Sequence, residues 1–166
     1  MFENPVLLIF PAALAYAAVM DFFTMTIPNR ISLAMIVGFF VAVPFSGLSM
    51  YEILMHVAAG ALMLAIGVGM FSFRLLGGGD AKLLAACSLW VGMESLLPFI
   101  LLVAVKGGIL AMMILAYRRI PMAALPDKEW AMRLHQRGGG IPYGLAIAAG
   151  GFMIYPHTEI FKSFLF

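Results

Sequence analysis

Residues 74–84 of this chain read RLLGGGDAKLL, so three glycines and an aspartate stand between two long apolar runs. Three consecutive glycines are poor helix interior, because each costs about 1 kcal/mol relative to alanine. The stretch therefore predicts a break between two helices, with Asp80 at the start of the second. A backbone without side chains at Gly77 and Gly79 also permits a sharp entry into that helix or the close approach of another chain segment.

The apolar character of these flanking runs extends through most of the sequence. Of the 166 residues, 64% are hydrophobic and 11% are charged, whereas soluble domains are about half apolar and about a quarter charged. We therefore expect an integral membrane protein with a single domain, residues 1–166. The formal net charge of +2 gives no reason to expect nucleic acid as a partner. The single cysteine, Cys87, excludes a disulfide framework and a four-cysteine zinc module.

Six apolar segments are candidates for membrane helices, each of which needs about 20 mostly apolar residues. The fold class is thus predicted to be all-α, a polytopic membrane protein with about six transmembrane helices. The first segment follows Glu3 without a basic residue, which predicts a retained helix rather than a signal peptide. The fourth segment reaches membrane length only if residues 79–82 also lie at membrane depth. The segments are Pro5–Met20, Ile31–Tyr51, Ile53–Phe73, Leu83–Met93, Leu96–Tyr117 and Gly138–His157.

Basic residues in the connecting loops predict the orientation, because lysine and arginine concentrate on the cytoplasmic side. The second and fourth loops contain only Glu52 and Glu94, so the odd-numbered loops are predicted to be cytoplasmic and both termini to face the other side. The long fifth loop is read as an ordinary positive-inside loop, with binding of anionic lipid headgroups as the alternative. The odd-numbered loops carry Arg30, Arg74, Arg118, Arg119, Lys128, Arg133 and Arg137.

Two acidic residues, Asp21 and Asp80, stand out once the helices are placed. Asp21 ends the first helix and Asp80 begins the fourth, so both lie at the predicted cytoplasmic edge and could meet in space. Asp80 has a plain structural alternative as the N-cap of its helix. Asp21 could be a solvated interfacial residue, although a carboxylate at a helix C-terminus opposes the helix dipole. Acidic groups this close to hydrocarbon are a functional hypothesis by default.

Three short motifs occur in order along the chain. Residues 77–80 (GGGD) fit the pattern GxGD, residues 21–29 (DFFTMTIPN) fit D-x5-I-P-N, and residues 141–144 read IPYG. Together they resemble the type IV prepilin peptidases, which are membrane aspartic proteases of the GxGD class. The resemblance implies that Asp21 and Asp80 form a catalytic pair. It also assigns supporting roles to other motif residues, namely Gly77, Gly79, Lys82, Pro28, Asn29, Pro142, Tyr143 and Gly144.

The resemblance also implies the substrate and the subtype. The substrate would be a type IV prepilin or pseudopilin precursor, cleaved after its basic leader at the cytoplasmic face of the bacterial inner membrane. The first cytoplasmic loop, residues 22–30, lacks the inserted region of the bifunctional members. The chain therefore looks like the short form associated with Flp or tight-adherence pili, and methylation is left unassigned. No cofactor or metal is expected, because His56, His135 and His157 have no ligand spacing.

Several supporting residues also have structural interpretations. Pro28 forces the chain out of helix before it, and Asn29 is predicted to cap the second helix. Pro142 suits the first turn of the last helix. Tyr143 could place its hydroxyl near the site, or it could be an ordinary aromatic residue at a membrane interface. Lys82 could extend to water or lipid, or it could tune the aspartate pair.

Two other classes of function remain open at this point. A small proton-coupled carrier could use Asp21, Asp80 and Lys106 as an intramembrane relay. That reading predicts acids near mid-membrane and internal symmetry, and the sequence shows no repeat. A non-catalytic scaffold subunit of a pilus machine would instead tolerate loss of either aspartate. The sequence does not indicate the oligomeric state.

Overall fold

The computed structural model describes residues 5–121, 126–136 and 139–164, and within these ranges the chain forms helices and no strand. The all-α prediction is confirmed. Short 3-10 turns at Pro5–Leu8 and Tyr155–His157 flank the first and the sixth helix. The helices are α1 (Ile9–Thr24), α2 (Asn29–Ser46), α3 (Met50–Ser72), α4 (Gly78–Tyr117), α5 (Glu129–His135), α6 (Tyr143–Ile154) and α7 (Glu159–Ser163).

Four helical segments are long and apolar enough to cross a membrane, judged by length and composition. They are Pro5–Thr24, which includes α1, and the helices α2, α3 and α4. Their outer faces carry large apolar side chains that are widely exposed, such as Phe45, Phe71 and Leu97. Exposed apolar surface of this extent is unfavourable in water, whereas lipid chains solvate it in a membrane. The chain is therefore a polytopic membrane protein.

The 40-residue helix α4 folds back on itself at Gly92, which has φ 76° and ψ 170°. A straight helix would separate Asp80 from Gly107 by about 40 Å, at 1.5 Å per residue. Tyr143 nevertheless contacts Gly107 and lies within Coulombic range of Asp80. The arms formed by residues 78–91 and 93–117 must therefore lie side by side. They correspond to the predicted fourth and fifth segments, joined by one residue instead of a loop.

A buried histidine holds this reversal of α4. His56 of α3 is fully buried, and its Nδ1 lies 2.8 Å from the carbonyl oxygen of Leu89. Because a carbonyl only accepts, Nδ1 carries the hydrogen and donates it. The other ring nitrogen, Nε2, lies 3.6 Å from a carboxylate oxygen of Glu159 in α7. Partial burial, together with the charges of Glu94 and Glu52, raises the pKa of Glu159.

The core lies between α1, α2, α6 and the first arm of α4. Phe10, Phe39 and Trp90 are fully buried and pack ring against ring, with centroids 5.5–5.9 Å apart. The Trp90 indole N–H donates to the carbonyl oxygen of Met35 over 2.8 Å, which satisfies its polar atom inside the core. Glycines on α3 let α4 approach closely, as small residues do in membrane helix pairs.

Several predicted boundaries and elements need correction. Helix α1 continues to Thr24, so Asp21 lies in its last turn instead of ending it. Helix α2 stops at Ser46, five residues before the predicted end, because Gly47 adopts a left-handed conformation with φ 69°. Helix α4 begins at Gly78, five residues before the predicted Leu83. The α-helix in the predicted sixth segment is shorter than predicted and spans Tyr143–Ile154. Helices α5 and α7 were not predicted, and Glu3, Arg137 and Gly138 lie outside the described residues.

Candidate active site

Asp21 joins the end of α1 to the beginning of α6. Its side chain is buried, with 5% of the residue surface exposed. Its Oδ2 accepts a hydrogen bond of 2.7 Å from the backbone N–H of Gly144, the second residue of α6. The first amides of a helix have no partner within the helix, and the helix dipole favours negative charge at that end. The α6 N-terminus therefore both positions Asp21 and stabilises its carboxylate form.

The IPYG motif contains the N-cap and the first two residues of α6. A Cβ atom at residue 144 would lie 2.8 Å from Asp21 Oδ2 and 2.8 Å from Ile27 Cδ1. A larger residue at position 144 would therefore displace the carboxylate from its place at the start of α6. Pro142 is the N-cap of α6, with φ −69°, and stands one residue before the first turn in which it was predicted. Its fixed φ and missing N–H suit the entry to a helix.

Asp80 lies in the first turn of α4, three residues after the N-cap, which is Gly77. The interpretation of Asp80 as the N-cap is therefore wrong, because the helix starts earlier than the sequence indicated. Its carboxyl group folds back over the preceding turn, and a Cβ atom at Gly77 would lie 2.7 Å from Asp80 Oδ2. The aspartate is partly exposed, whereas Asp21 is buried.

The three motifs converge on one place through Ile27. A Cβ atom at Gly79 would lie 3.2 Å from Cβ of Ile27, whose Cδ1 reaches Gly144. The connection between α1 and α2 is thus wedged between the starts of α4 and α6. Asp21 lies within Coulombic range of Asp80. The structure therefore brings the two acids and the three motifs to one end of the helix bundle.

Lys82, Pro28 and Asn29 have structural contacts beside this place. Pro28 is the N-cap of α2, and Asn29 is its first residue without a capping hydrogen bond, so the predicted asparagine cap is wrong. The fixed φ of proline supplies the extended residue that precedes the helix. The Asn29 side-chain oxygen instead accepts a 3.0 Å hydrogen bond from Lys82 Nζ, which ties α2 to α4.

A half-open groove of about 1430 Å³ begins at Asp80. It runs between α3, both arms of α4 and the segment that leads into α6. Among its described lining residues, Arg74 and Asp80 are charged and most others are apolar. Lys106 is not one of the described residues that line it. The lining includes Leu62, Ile66, Phe71, Leu84, Met93, Leu97, Ile100, Val103, Ala104, Gly139, Gly140, Ile141 and Tyr143.

The helix α5 and its neighbours form contacts around the site that the sequence did not indicate. Arg133 of α5 donates a 2.7 Å hydrogen bond from Nη1 to the carbonyl oxygen of Phe23, near the end of α1. The Trp130 ring packs against Phe22 and Phe23, with centroids 5.5 Å and 6.4 Å apart. The sequence indicated only a basic loop around Trp130 and Arg133, because neither contact follows from local spacing.

Residues 5–121, 126–136 and 139–164 contain no group of three or more histidine, cysteine, aspartate or glutamate side chains arranged to hold a metal ion. The three histidines lie apart, in α3, in α5 and before α7. The site thus combines two carboxyl groups, those of Asp21 and Asp80, with the N-terminus of α6 and an apolar groove.

Comparison with known proteins adds one match. A family model described as the type IV leader peptidase family matches residues 8–112. This span covers well over half of the chain and includes both the D-x5-I-P-N and the GxGD motifs. The IPYG motif lies beyond it. No curated protein and no solved structure matches the chain.

Proposed function

The chain belongs to the type IV leader peptidase family, and on this premise we propose that it is an aspartic endopeptidase that removes the leader from Flp-like prepilins at the cytoplasmic face of the membrane. Membership of the family supports a peptidase with prepilin-type substrates. The aspartic mechanism, the side of the membrane and the Flp-like substrate are our additions. Each rests on contacts and sequence features described above.

One observation carries the proposal. Asp80 lines a long apolar groove. A second carboxyl group, that of Asp21, lies within Coulombic range of Asp80. A paired carboxyl site beside an apolar groove suits a substrate with a peptide bond next to an apolar helix. A carrier relay would not require such a groove.

The proposed reaction uses one carboxylate and one carboxylic acid. The carboxylate takes a proton from water while the water oxygen forms a bond to the scissile carbonyl carbon. The acid donates its proton to the carbonyl oxygen, giving a tetrahedral intermediate. The carbon–nitrogen bond then breaks as a proton passes to the leaving amine. The products are a leader with a free carboxylate and a mature chain with a new amino terminus.

The contacts favour a division of roles within the pair. Oδ2 of Asp21 accepts from an amide at the N-terminus of α6, an arrangement that stabilises an anion. We therefore assign Asp21 as the carboxylate that activates water. Asp80, which lines the groove, is assigned as the acid that protonates the substrate carbonyl.

The groove is long enough to take a short helical segment. Along α3 it extends from Leu62 to Ser72, about 15 Å at 1.5 Å per residue. We propose that the apolar helix of the precursor lies here, with the leader beyond Asp80.

The cytoplasmic assignment rests on charge. Arg74, Arg118 and Arg133 lie on the same side of the bundle as Asp80, whereas Glu52, Glu94 and Glu159 gather around the reversal of α4 at the other end. Basic residues favour the cytoplasmic side of a membrane. The Flp-like subtype rests on the connection between α1 and α2, which has only four residues, Met25–Pro28, and no inserted region.

The experiment is leader removal by the purified protein in lipid vesicles, with the product terminus identified by mass spectrometry. The wild type should cleave a Flp-type precursor after its leader. Ala104→Phe, which places a ring in the groove, should raise KM. Ala116→Phe is the matched control, because this alanine is exposed on the same helix outside the groove.

Two results would count against the proposal. If the wild type cleaved no prepilin-type precursor, the activity itself would be refuted. If the two phenylalanine variants gave the same KM, the groove would not be the site of the substrate helix.

A further inference from the structure

Arg118, the first residue after α4, reaches across to the connection between α5 and α6. Its Nε donates a 2.8 Å hydrogen bond to the carbonyl oxygen of Leu134. Its Nη2 donates to the carbonyl oxygens of Gly139 over 2.8 Å and of Gly140 over 3.2 Å. One side chain thus binds three backbone carbonyls that lie 16 to 22 residues further along the chain.

Among the described residues, no backbone N–H donates to these three carbonyls. Leu134 lies in the last turn of α5, where helix carbonyls have no intrahelical donor and positive charge is favoured. Gly139 and Gly140 lie in irregular backbone between two helices, where no regular ladder supplies donors. The planar guanidinium presents several donors in a fixed fork, which suits several acceptors at once.

The segment held by Arg118 is part of the candidate site. Gly139, Gly140 and Ile141 line the groove that contains Asp80. Three residues after Ile141, the N–H of Gly144 binds Asp21. Gly140 is exposed, and a Cβ atom there would meet nothing within 4 Å. Packing therefore does little to fix residue 140, and the hydrogen bonds from Arg118 are its described tether.

We propose that Arg118 is a positioning residue of the peptidase site, an inference that rests on the proposed function. Its guanidinium holds the groove wall at residues 139–141 and the start of α6. Through the Gly144 N–H it keeps the Asp21 carboxylate in place relative to Asp80. Arg118 touches neither the substrate bond nor the carboxyl groups, so its effect is on alignment.

The test compares Arg118→Gln with Arg119→Gln in the leader-removal assay. Both substitutions remove one positive charge from the same loop, but Arg119 is exposed, and among the described contacts only its backbone N–H makes a hydrogen bond, to the carbonyl oxygen of Ala116. Misplacement of a catalytic group by about 1 Å can cost about 10²-fold in rate. Arg118→Gln should therefore lower kcat by about 10²-fold with a smaller change in KM, and Arg119→Gln should leave both near the wild-type values.

A conservative variant and a spectroscopic readout separate positioning from general stability. Arg118→Lys keeps the charge but loses the fork, so its kcat should fall between those of wild type and Arg118→Gln. A spin label at Gly140→Cys reports on the segment directly, once buried Cys87 is replaced by alanine. The label should become more mobile with Arg118→Gln and stay unchanged with Arg119→Gln.

Failure of the proposed function and failure of the positioning role would give different results. A wild-type protein that cleaves no precursor refutes the proposed function. Cleavage by the wild type that persists at the same kcat in Arg118→Gln refutes the positioning role. Unchanged label mobility in Arg118→Gln would also refute it, because the segment would then be held by other contacts.

Discussion

At the scale of single residues, the motifs are explained by what lies against them. A Cβ atom at Gly77 or at Gly144 would lie within 3 Å of a carboxyl oxygen, so a larger residue at either position would displace an aspartate. The sequence indicated the two aspartates and the three motifs, since they are contiguous patterns of residue type. It could not indicate which amide would bind Asp21, because Gly144 lies 123 residues away.

The first prediction concerns Gly144. In Gly144→Ala the new methyl group would lie 2.8 Å from both Asp21 Oδ2 and Ile27 Cδ1, so the carboxylate must move. We expect kcat for leader removal to fall by about 10²-fold, the cost of poor alignment. Gly108→Ala is the control, because a Cβ atom there meets nothing within 4 Å on α4. Equal activity of the two variants would show that the contact does not position Asp21.

At the scale of elements, the reversal inside α4 determines the groove. The sequence predicted two segments here, Leu83–Met93 and Leu96–Tyr117, and placed a loop around Glu94. The structure replaces that loop by Gly92, and the partner that accommodates the turn is His56, 36 residues earlier. Helix periodicity contains no information on such a contact, so the sharpness of the turn was missed.

The second prediction concerns Gly92. Its φ of 76° and ψ of 170° lie in a region used almost only by glycine, with a cost of about 1–3 kcal/mol for other residues. A Cβ atom would also lie 2.8 Å from the His56 ring. Gly92→Ala should therefore destabilise the protein by at least about 2 kcal/mol.

Gly47→Ala is the matched control for this prediction. Gly47 also has a positive φ, 69°, but nothing lies within 4 Å of its Cβ position. The stability lost in Gly47→Ala should be about 1–2 kcal/mol, the cost of a residue other than glycine in the left-handed conformation. The midpoints of unfolding in detergent measure the stability of both variants. If Gly92→Ala and Gly47→Ala lowered the midpoint equally, contact with His56 would not be a cause of lost stability in Gly92→Ala.

The elements that escaped prediction share one physical cause. Helix α5 has seven residues and α7 has five, and isolated helices of that length are unstable in water. They form because Arg133, Trp130 and Glu159 find partners on distant helices. The long apolar helices were predictable, because their composition alone commits them to the membrane.

At the scale of the whole molecule, most of the basic residues lie at one end of the bundle, whereas Glu52, Glu94 and Glu159 lie at the other end together with Lys162. The site with Asp21 and Asp80 lies at the end with most of the basic residues, and the reversal of α4 lies at the other. Basic loops predict the cytoplasmic side, so the proposed site is expected on the side of the membrane that a precursor's basic leader would occupy.

The third prediction tests this orientation by cysteine accessibility. Tyr51→Cys and Lys128→Cys are placed in a variant whose buried Cys87 is replaced by alanine, since both positions are exposed. An impermeant maleimide added to intact cells should label residue 51 and reach residue 128 only after the membrane is opened. Labelling of both from the outside would contradict the proposed topology.

The central claim is that Asp21 and Asp80 both transfer protons during peptide hydrolysis. Asparagine keeps the size of the side chain and its acceptor oxygen, but it cannot be titrated. Asp21→Asn and Asp80→Asn should each lower kcat for leader removal by about 10²–10⁴-fold or more. Insertion and accumulation, followed by immunoblot, should be unchanged.

The single most direct measurement is therefore the single-turnover rate of leader removal in lipid vesicles for the wild type and three variants. Asp127→Asn is the matched control, since Asp127 is an exposed acid in the connection between α4 and α5. The expected result is cleavage by the wild type and Asp127→Asn and near-complete loss in Asp21→Asn and Asp80→Asn. Cleavage near the wild-type rate by either of the latter two would contradict the aspartic mechanism.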